Sequence, residues 1–169
     1  MNNNNQKDSR KGGSEGPKYK RLTSEELKLL EKEFVNFLAS AQITAADWEK
    51  MKNNEAEKVE ELIAVFSDVV YEKVLGKVKF LEYREPKTLN IFNCQENKIV
   101  LIGLRVKEHS SLDLTAPDIF NQWSESHTSS VNVIKTEKKY VKERGEEVFE
   151  LLQNGCLITD DKLFNILNG

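Results

Sequence analysis

At Gly76 the spacing of the apolar residues changes, and this change limits the fold more than any other feature of the chain. Before it, Leu27, Leu30, Phe34, Phe37, Leu38 and Ala41 recur every three or four positions, drawing one apolar stripe along a helix. After it, apolar and polar residues alternate, as they do on a half-buried strand. A chain that keeps the two periods apart predicts segregated helices and antiparallel strands, an α+β fold, rather than alternating strand–helix units.

Local signals place the elements. Thr23-Ser24-Glu25-Glu26 has the form of a capping box and predicts one helix over 23–41, about five turns long. Thr44-Ala45-Ala46-Asp47 opens a second helix, with Trp48 and Met51 inward. Asn54-Glu55-Ala56-Glu57 opens a third, whose inner face is Val59, Leu62, Ile63, Phe66, Val69, Val70 and Val74, with Gly76 as its stop. Leu29, Val35 and Val65 lie beside these stripes, a width that suits helices covered on two sides, by the sheet or by another chain. Residues 22–73 hold twelve acidic and six basic side chains, so the outer face of this half is acidic.

The alternating half predicts a three-stranded antiparallel meander. Its runs are Val78 to Arg84, Thr88 to Cys94 and Lys98 to Lys107. Ile99, Val100, Leu101 and Ile102 are consecutive, which predicts a central strand covered on both faces. Thr115-Ala116-Pro117-Asp118 predicts a helix ending near Ser126, with Ile119, Phe120 and Trp123 inward. A fourth strand is expected over 129–136, and a helix over 140–154 that stops at Gly155. A short extended piece at Cys156-Leu157-Ile158 and a last helix capped by Thr159-Asp160-Asp161, bearing Leu163, Phe164 and Leu167, complete the chain. The expectation is an N-terminal helical layer packed on a three- to four-stranded sheet, with C-terminal helices. Residues 1–17 read as a disordered polar tail and 18–169 as a single domain.

Signals for bond-making chemistry are sparse. The Gly12-Gly13 pair lacks the Lys-Ser/Thr of a phosphate loop, and neither a G-x-S-x-G elbow nor an H-E-x-x-H helix occurs. Cys94, His109, His127 and Cys156 are too dispersed for the close ligand pairs of a zinc site, so no metal and no cofactor is expected. His109, Asp113 and Ser110 or Ser111 form a triad only if the tertiary fold assembles them. Asp113 and Asp118 make a candidate carboxylate pair, but a helix start accounts better for Asp118, and likewise for Asp160 and Asp161. Trp48 and Trp123 fall on apolar faces and read as core.

Charge narrows the partners. The net charge is −3, so the chain as a whole presents no field that attracts nucleic acid or anionic lipid. Residues 1–21 nevertheless carry six basic and two acidic groups, and Lys18-Tyr19-Lys20-Arg21 interleaves an aromatic with cations, as a single-strand stacking platform would. Lys135, Lys138, Lys139, Lys142 and Arg144 are diluted by Glu137, Glu143, Glu146 and Glu147 and read as a solvated mixed-charge face. Met1 is followed by Asn2 to Asn5 with no apolar leader, and no apolar run is long enough to span a membrane. A cytoplasmic protein with two free thiols is expected.

The segments Lys18-Tyr19-Lys20-Arg21-Leu22-Thr23, Phe37-Leu38-Ala39, Gln42-Ile43-Thr44-Ala45-Ala46-Asp47-Trp48 and Phe66-Ser67-Asp68-Val69-Val70 resemble an uncharacterised bacterial family found among Bacteroidota, over residues 18–169. The resemblance implies a bacterial cytoplasmic protein and assigns no residue a role. The leading expectation is a non-enzymatic protein–protein interaction or assembly module with a protein partner. One alternative is a nucleic-acid- or ribosome-associated protein that uses Lys18, Tyr19, Lys20 and Arg21. The other is a small enzyme with a site near 109–118.

Overall fold

The computed structural model describes residues 16–169, so the expected disordered tail lies, but for its last two residues, outside the described residues. Among the described residues the chain has seven helices and one five-stranded antiparallel sheet, an α+β architecture. It divides into two compact units at the Tyr71/Glu72 junction.

In the first unit the Thr23 capping box forms. Thr23 Oγ1 accepts the Glu26 N–H at 3.2 Å, and Glu26 Oε2 accepts the Thr23 N–H at 2.7 Å. The single helix expected over 23–41 is instead two, α1 (Ser24–Leu29) and α2 (Glu31–Ser40). Leu30 departs to φ −106°, ψ 23°, and its N–H is shared between the Glu26 and Leu27 carbonyls at 3.1 and 3.2 Å. The ladder resumes at once with the Phe34 N–H on the Leu30 carbonyl, so no proline or glycine marks the break. Helices α3 (Ala45–Asn54) and α4 (Ala56–Leu75) follow, α3 under a second capping box between Thr44 and Asp47.

The core of this unit is aromatic. The Phe66 ring sits 4.9 Å from Phe34 and 5.4 Å from Phe37, and Phe34 meets Trp48 edge-on at 5.3 Å. Val69 and Val74, expected inside, are 51% and 49% exposed. The inward position next to Phe66 belongs to Ser67, which is fully buried. Its hydroxyl donates to the Ile63 carbonyl at 2.6 Å and accepts the Leu22 N–H at 3.0 Å. At 100° per residue, 63, 66, 67 and 70 share a face from which 69 turns away.

The end of α2 carries local strain. Gln42 has φ 60°, its N–H bonds the Ala39 carbonyl, and the Ile43 N–H bonds the Leu38 carbonyl. This is a Schellman turn with glutamine in the left-handed position that glycine favours. Gln42→Gly is expected to stabilise the protein by about 1 kcal/mol, read as a higher urea midpoint at unchanged m-value.

The second unit is built on strands β1 (Phe80–Glu85), β2 (Thr88–Cys94), β3 (Lys98–Val106), β4 (Val131–Lys139) and β5 (Leu157–Thr159), in the order β4-β3-β2-β1-β5. The three-stranded meander forms as expected, joined tightly at Pro86-Lys87. The sheet has five strands rather than three or four. The short piece after Gly155 pairs with β1, Ile158 opposite Leu81, while β4 runs on to Lys139 beside β3. The middle position belongs to β2, not to β3, although β3 is covered on both faces: Ile102 and Leu104 are buried on one and Ile99 on the other.

Leu89, Ile91, Ile102 and Leu104 form one core face with Leu114, Leu163 and Phe164, the last two from α7 (Lys162–Asn168). The opposite face meets α6 (Arg144–Gln153), whose Val148 is fully buried. α6 begins four residues later than expected, because β4 and a turn consume 137–143, and Val141 is 90% exposed. It stops at Gly155, which takes φ 92°.

The helix expected over 115–126 does not form. Asp118 adopts φ 58°, which breaks a right-handed helix directly after Pro117, and Thr115 donates its hydroxyl to Asp113 Oδ1 at 2.6 Å instead of capping. What remains is a run of turns followed by one short helix, α5 (Glu125–Ser129). Phe120 and Trp123 still pack against the core, as their apolar character demands.

Candidate functional site

Lys18, Tyr19, Lys20 and Arg21 lie together along α4. The Lys18 and Tyr19 backbone N–H groups donate to the two Asp68 carboxylate oxygens at 2.8 and 3.1 Å, and the Tyr19 ring sits 5.8 Å from that of Tyr71. Arg21 makes a two-pronged pair with Glu60 at 2.6 and 2.9 Å. Its hydrogen bond holds the Glu60 carboxyl below the ordinary glutamate range. The Lys18 ammonium lies 5.1 Å over its neighbour's ring. One of the three cations is thus neutralised by the protein's own acid, and the aromatic face has two internal neighbours.

Residues 109–118 do not converge. His109 is exposed; the Ser110 hydroxyl accepts the Leu112 N–H at 3.1 Å, and Asp113 Oδ1 accepts the Thr115 N–H and hydroxyl. Asp118 accepts from the Asn121 side-chain amide at 2.9 Å. His127 Nδ1 lies 2.9 Å from the Ser124 hydroxyl, at the end of a stack in which Arg84, Phe120, Trp123 and His127 follow one another at 5.0 to 5.4 Å. Cys94 and Cys156 are buried free thiols, and burial pushes Cys94 up to about 11. Among the described residues no group of three or more His, Cys, Asp or Glu side chains is placed to hold a metal ion. Asp160 and Asp161 serve α7: the first accepts the Lys162 N–H at 3.0 Å and the second the Asn165 side-chain amide at 3.2 Å.

Two features remain. The first is on the helices of unit one, where Leu29, Val35, Val65 and Val69 are 85%, 55%, 52% and 51% exposed. Leu29, Val35 and Val65 each have a glutamate four residues before them on the same helix: Glu25, Glu31 and Glu61. Residues four apart are neighbours on a helix surface, so each exposed apolar side chain sits beside a carboxylate. The width of the stripes pointed to these positions; their exposure is a finding of the structure.

The second is in unit two and centres on Arg144, which is not part of a solvated face. Its Nε donates to the Gln95 carbonyl at 3.1 Å, one Nη to the Leu75 carbonyl at 3.0 Å and the other to the carbonyls of Cys94 (2.9 Å) and Val78. Tyr140 brings its hydroxyl to the same Gln95 carbonyl at 2.9 Å. Beside Arg144 opens a cavity of about 440 Å³ lined by Gly76, Lys79, Asn93, Gln95 and Glu96 among others. A second cleft of about 390 Å³ runs between α6 and Phe92, Ile99 and Leu101. The charged side chains at its rim are paired internally: Lys138 with Glu147, Lys98 with Glu137, and Glu150 with Lys142.

No helix among the described residues is long and apolar enough to cross a membrane. A family model described as a family of unknown function (DUF6495) matches residues 17–169. No curated protein and no solved structure matches the chain.

Proposed function

The chain belongs to that family, whose description assigns no activity, and from its own residues we propose that it is a protein-interaction module that holds a basic, amphipathic segment of a partner protein on its acidic helical unit. The observation that carries this reading is the set of exposed apolar side chains flanked by glutamates. Single exposed apolar residues are ordinary on a protein surface. Three that repeat the same glutamate-at-minus-four arrangement suit a partner that offers apolar anchors with lysine or arginine between them. Such a partner gains area from Leu29, Val35, Val65 and Val69, and orientation from the carboxylates. The cytoplasm as its place of action is supported by the two free, buried cysteines.

Ser110, Asp113, Thr115 and Asp118 are each bonded within three positions along the chain, which gives the enzymatic reading no support. The pairing of Arg21 with Glu60 weakens the nucleic-acid reading without removing Lys18 and Lys20 from it.

The test compares affinity capture from native lysate by the wild-type chain and by a Val65→Ser/Val69→Ser variant, at near-physiological and at raised salt, with and without nuclease. The expected result is a protein retained by the wild type despite nuclease, released as salt rises, and reduced at least about tenfold in the variant. Equal retention by both chains, or loss of every retained species on nuclease treatment, would falsify the proposal.

A further inference from the structure

We propose that the open end of the sheet, between the α4–β1 junction and the β2–β3 turn, is a binding site for an oxyanion of the phosphate class, held by Arg144 and Lys79. Three observations support it. The first is the cavity of about 440 Å³ beside Arg144, which lies within the size range of small-ligand sites.

The second is unneutralised positive charge. Arg144 is half-buried, and four main-chain carbonyls accept from it, with the Tyr140 hydroxyl as a further neutral neighbour. Carbonyl dipoles satisfy its donors but leave its unit charge in place, and no carboxylate among the described residues lies within ion-pair distance. A guanidinium has five N–H groups, and main-chain carbonyls engage four of them here. Lys79 lines the same cavity, and its ammonium has neither a hydrogen bond nor an ion pair among the described residues, although its carbonyl accepts the Cys94 N–H at 2.8 Å.

The third is unused amide capacity. The side chains of Asn93 and Gln95 line the cavity and have no hydrogen-bond partner among the described residues, although the Gln95 main chain is engaged. Two cations of different geometry with two amide donors match the several lone pairs of a phosphate better than a neutral ligand. The one acid on the lining is Glu96, exposed at the β2–β3 turn. It opposes the anion and serves as a handle for the test.

The full chain, labelled with ¹⁵N, is titrated with inorganic phosphate at constant ionic strength, with chloride as the matched control. Saturable shifts of the Lys79, Gln95 and Glu96 amides are expected, with a dissociation constant on the order of 1 mM. Lys79→Ala is expected to weaken binding about fivefold and Glu96→Gln to tighten it about threefold. Both positions are exposed, so folding is preserved in either variant. Phenyl phosphate forms a second arm. Tighter binding than inorganic phosphate assigns the site to organic phosphate esters, and equal binding assigns it to the free ion. Absence of saturable shifts, their reproduction by chloride, or insensitivity to both substitutions overturns the proposal.

Discussion

Arg144→Ala is expected to destabilise the sheet unit by about 3 kcal/mol, the largest effect of any single side chain bonded to the main chain here. Four carbonyls, those of Leu75, Val78, Cys94 and Gln95, lose a charged donor together. A hydrogen bond to a charged group contributes about 1.5–3 kcal/mol, but the four are not additive, since water enters once the side chain is gone. The carbonyls belong to the α4–β1 junction and the β2–β3 turn, so the substitution frees two connections that Arg144 holds at once.

Arg144→Lys separates charge from shape. An ammonium keeps the unit charge but cannot present donors in a planar fork to acceptors on several sides. It is expected to recover less than half of the loss. Urea midpoints with an unchanged m-value make the measurement, and a lysine variant as stable as the wild type would show that charge alone suffices.

How much of this was legible beforehand differs between levels. Both threonine capping boxes, the bounds of β2 and the stop at Gly155 follow from short-range rules, since each depends on residues within a few positions of one another. The break at Leu30 left no mark, because a shared hydrogen bond needs no special residue. The helix expected at 115–126 obeyed the same local rules and failed, because Asp113 captured the cap that Thr115 was to provide and Asp118 turned left-handed. Three-residue β5 is too short to show a period; only its partner β1 makes it a strand.

The candidate sites were harder to read for a related reason. Arg144 bonds carbonyls 69, 66, 50 and 49 positions away, and a carbonyl belongs to every residue alike. An arginine among glutamates therefore gives no hint that its acceptors are main-chain atoms. The exposed face of the first unit is half legible: a stripe too wide for one cover points to Leu29, Val35 and Val65, while the spacing of Val69 puts it on the inner stripe and the structure leaves it 51% exposed.

Glu147→Gln is expected to cost about 2 kcal/mol at neutral pH and to flatten the acid limb of the stability profile. Glu147 is 5% exposed, and its oxygens accept from Lys138 Nζ and from the Val141 and Lys142 N–H groups. Burial alone would push its carboxyl up; the bonds from Lys138, Lys142 and Val141 outweigh burial and hold it below the ordinary glutamate range. A carboxyl depressed in the folded state binds its proton more weakly there than in the unfolded chain. Its contribution is therefore complete above the unfolded value, near pH 4.3 or so for a glutamate, and is lost as pH falls through the lower folded value. Other carboxyls are lowered too, among them Glu26, Asp47, Glu60, Asp113 and Asp160, so the variant keeps some acid sensitivity. The gap between wild-type and variant urea midpoints isolates Glu147: wide at pH 7, it closes below about pH 4. A gap that stays constant down to pH 3 would mean that the side chain acts through packing, not through the charge that three donors surround.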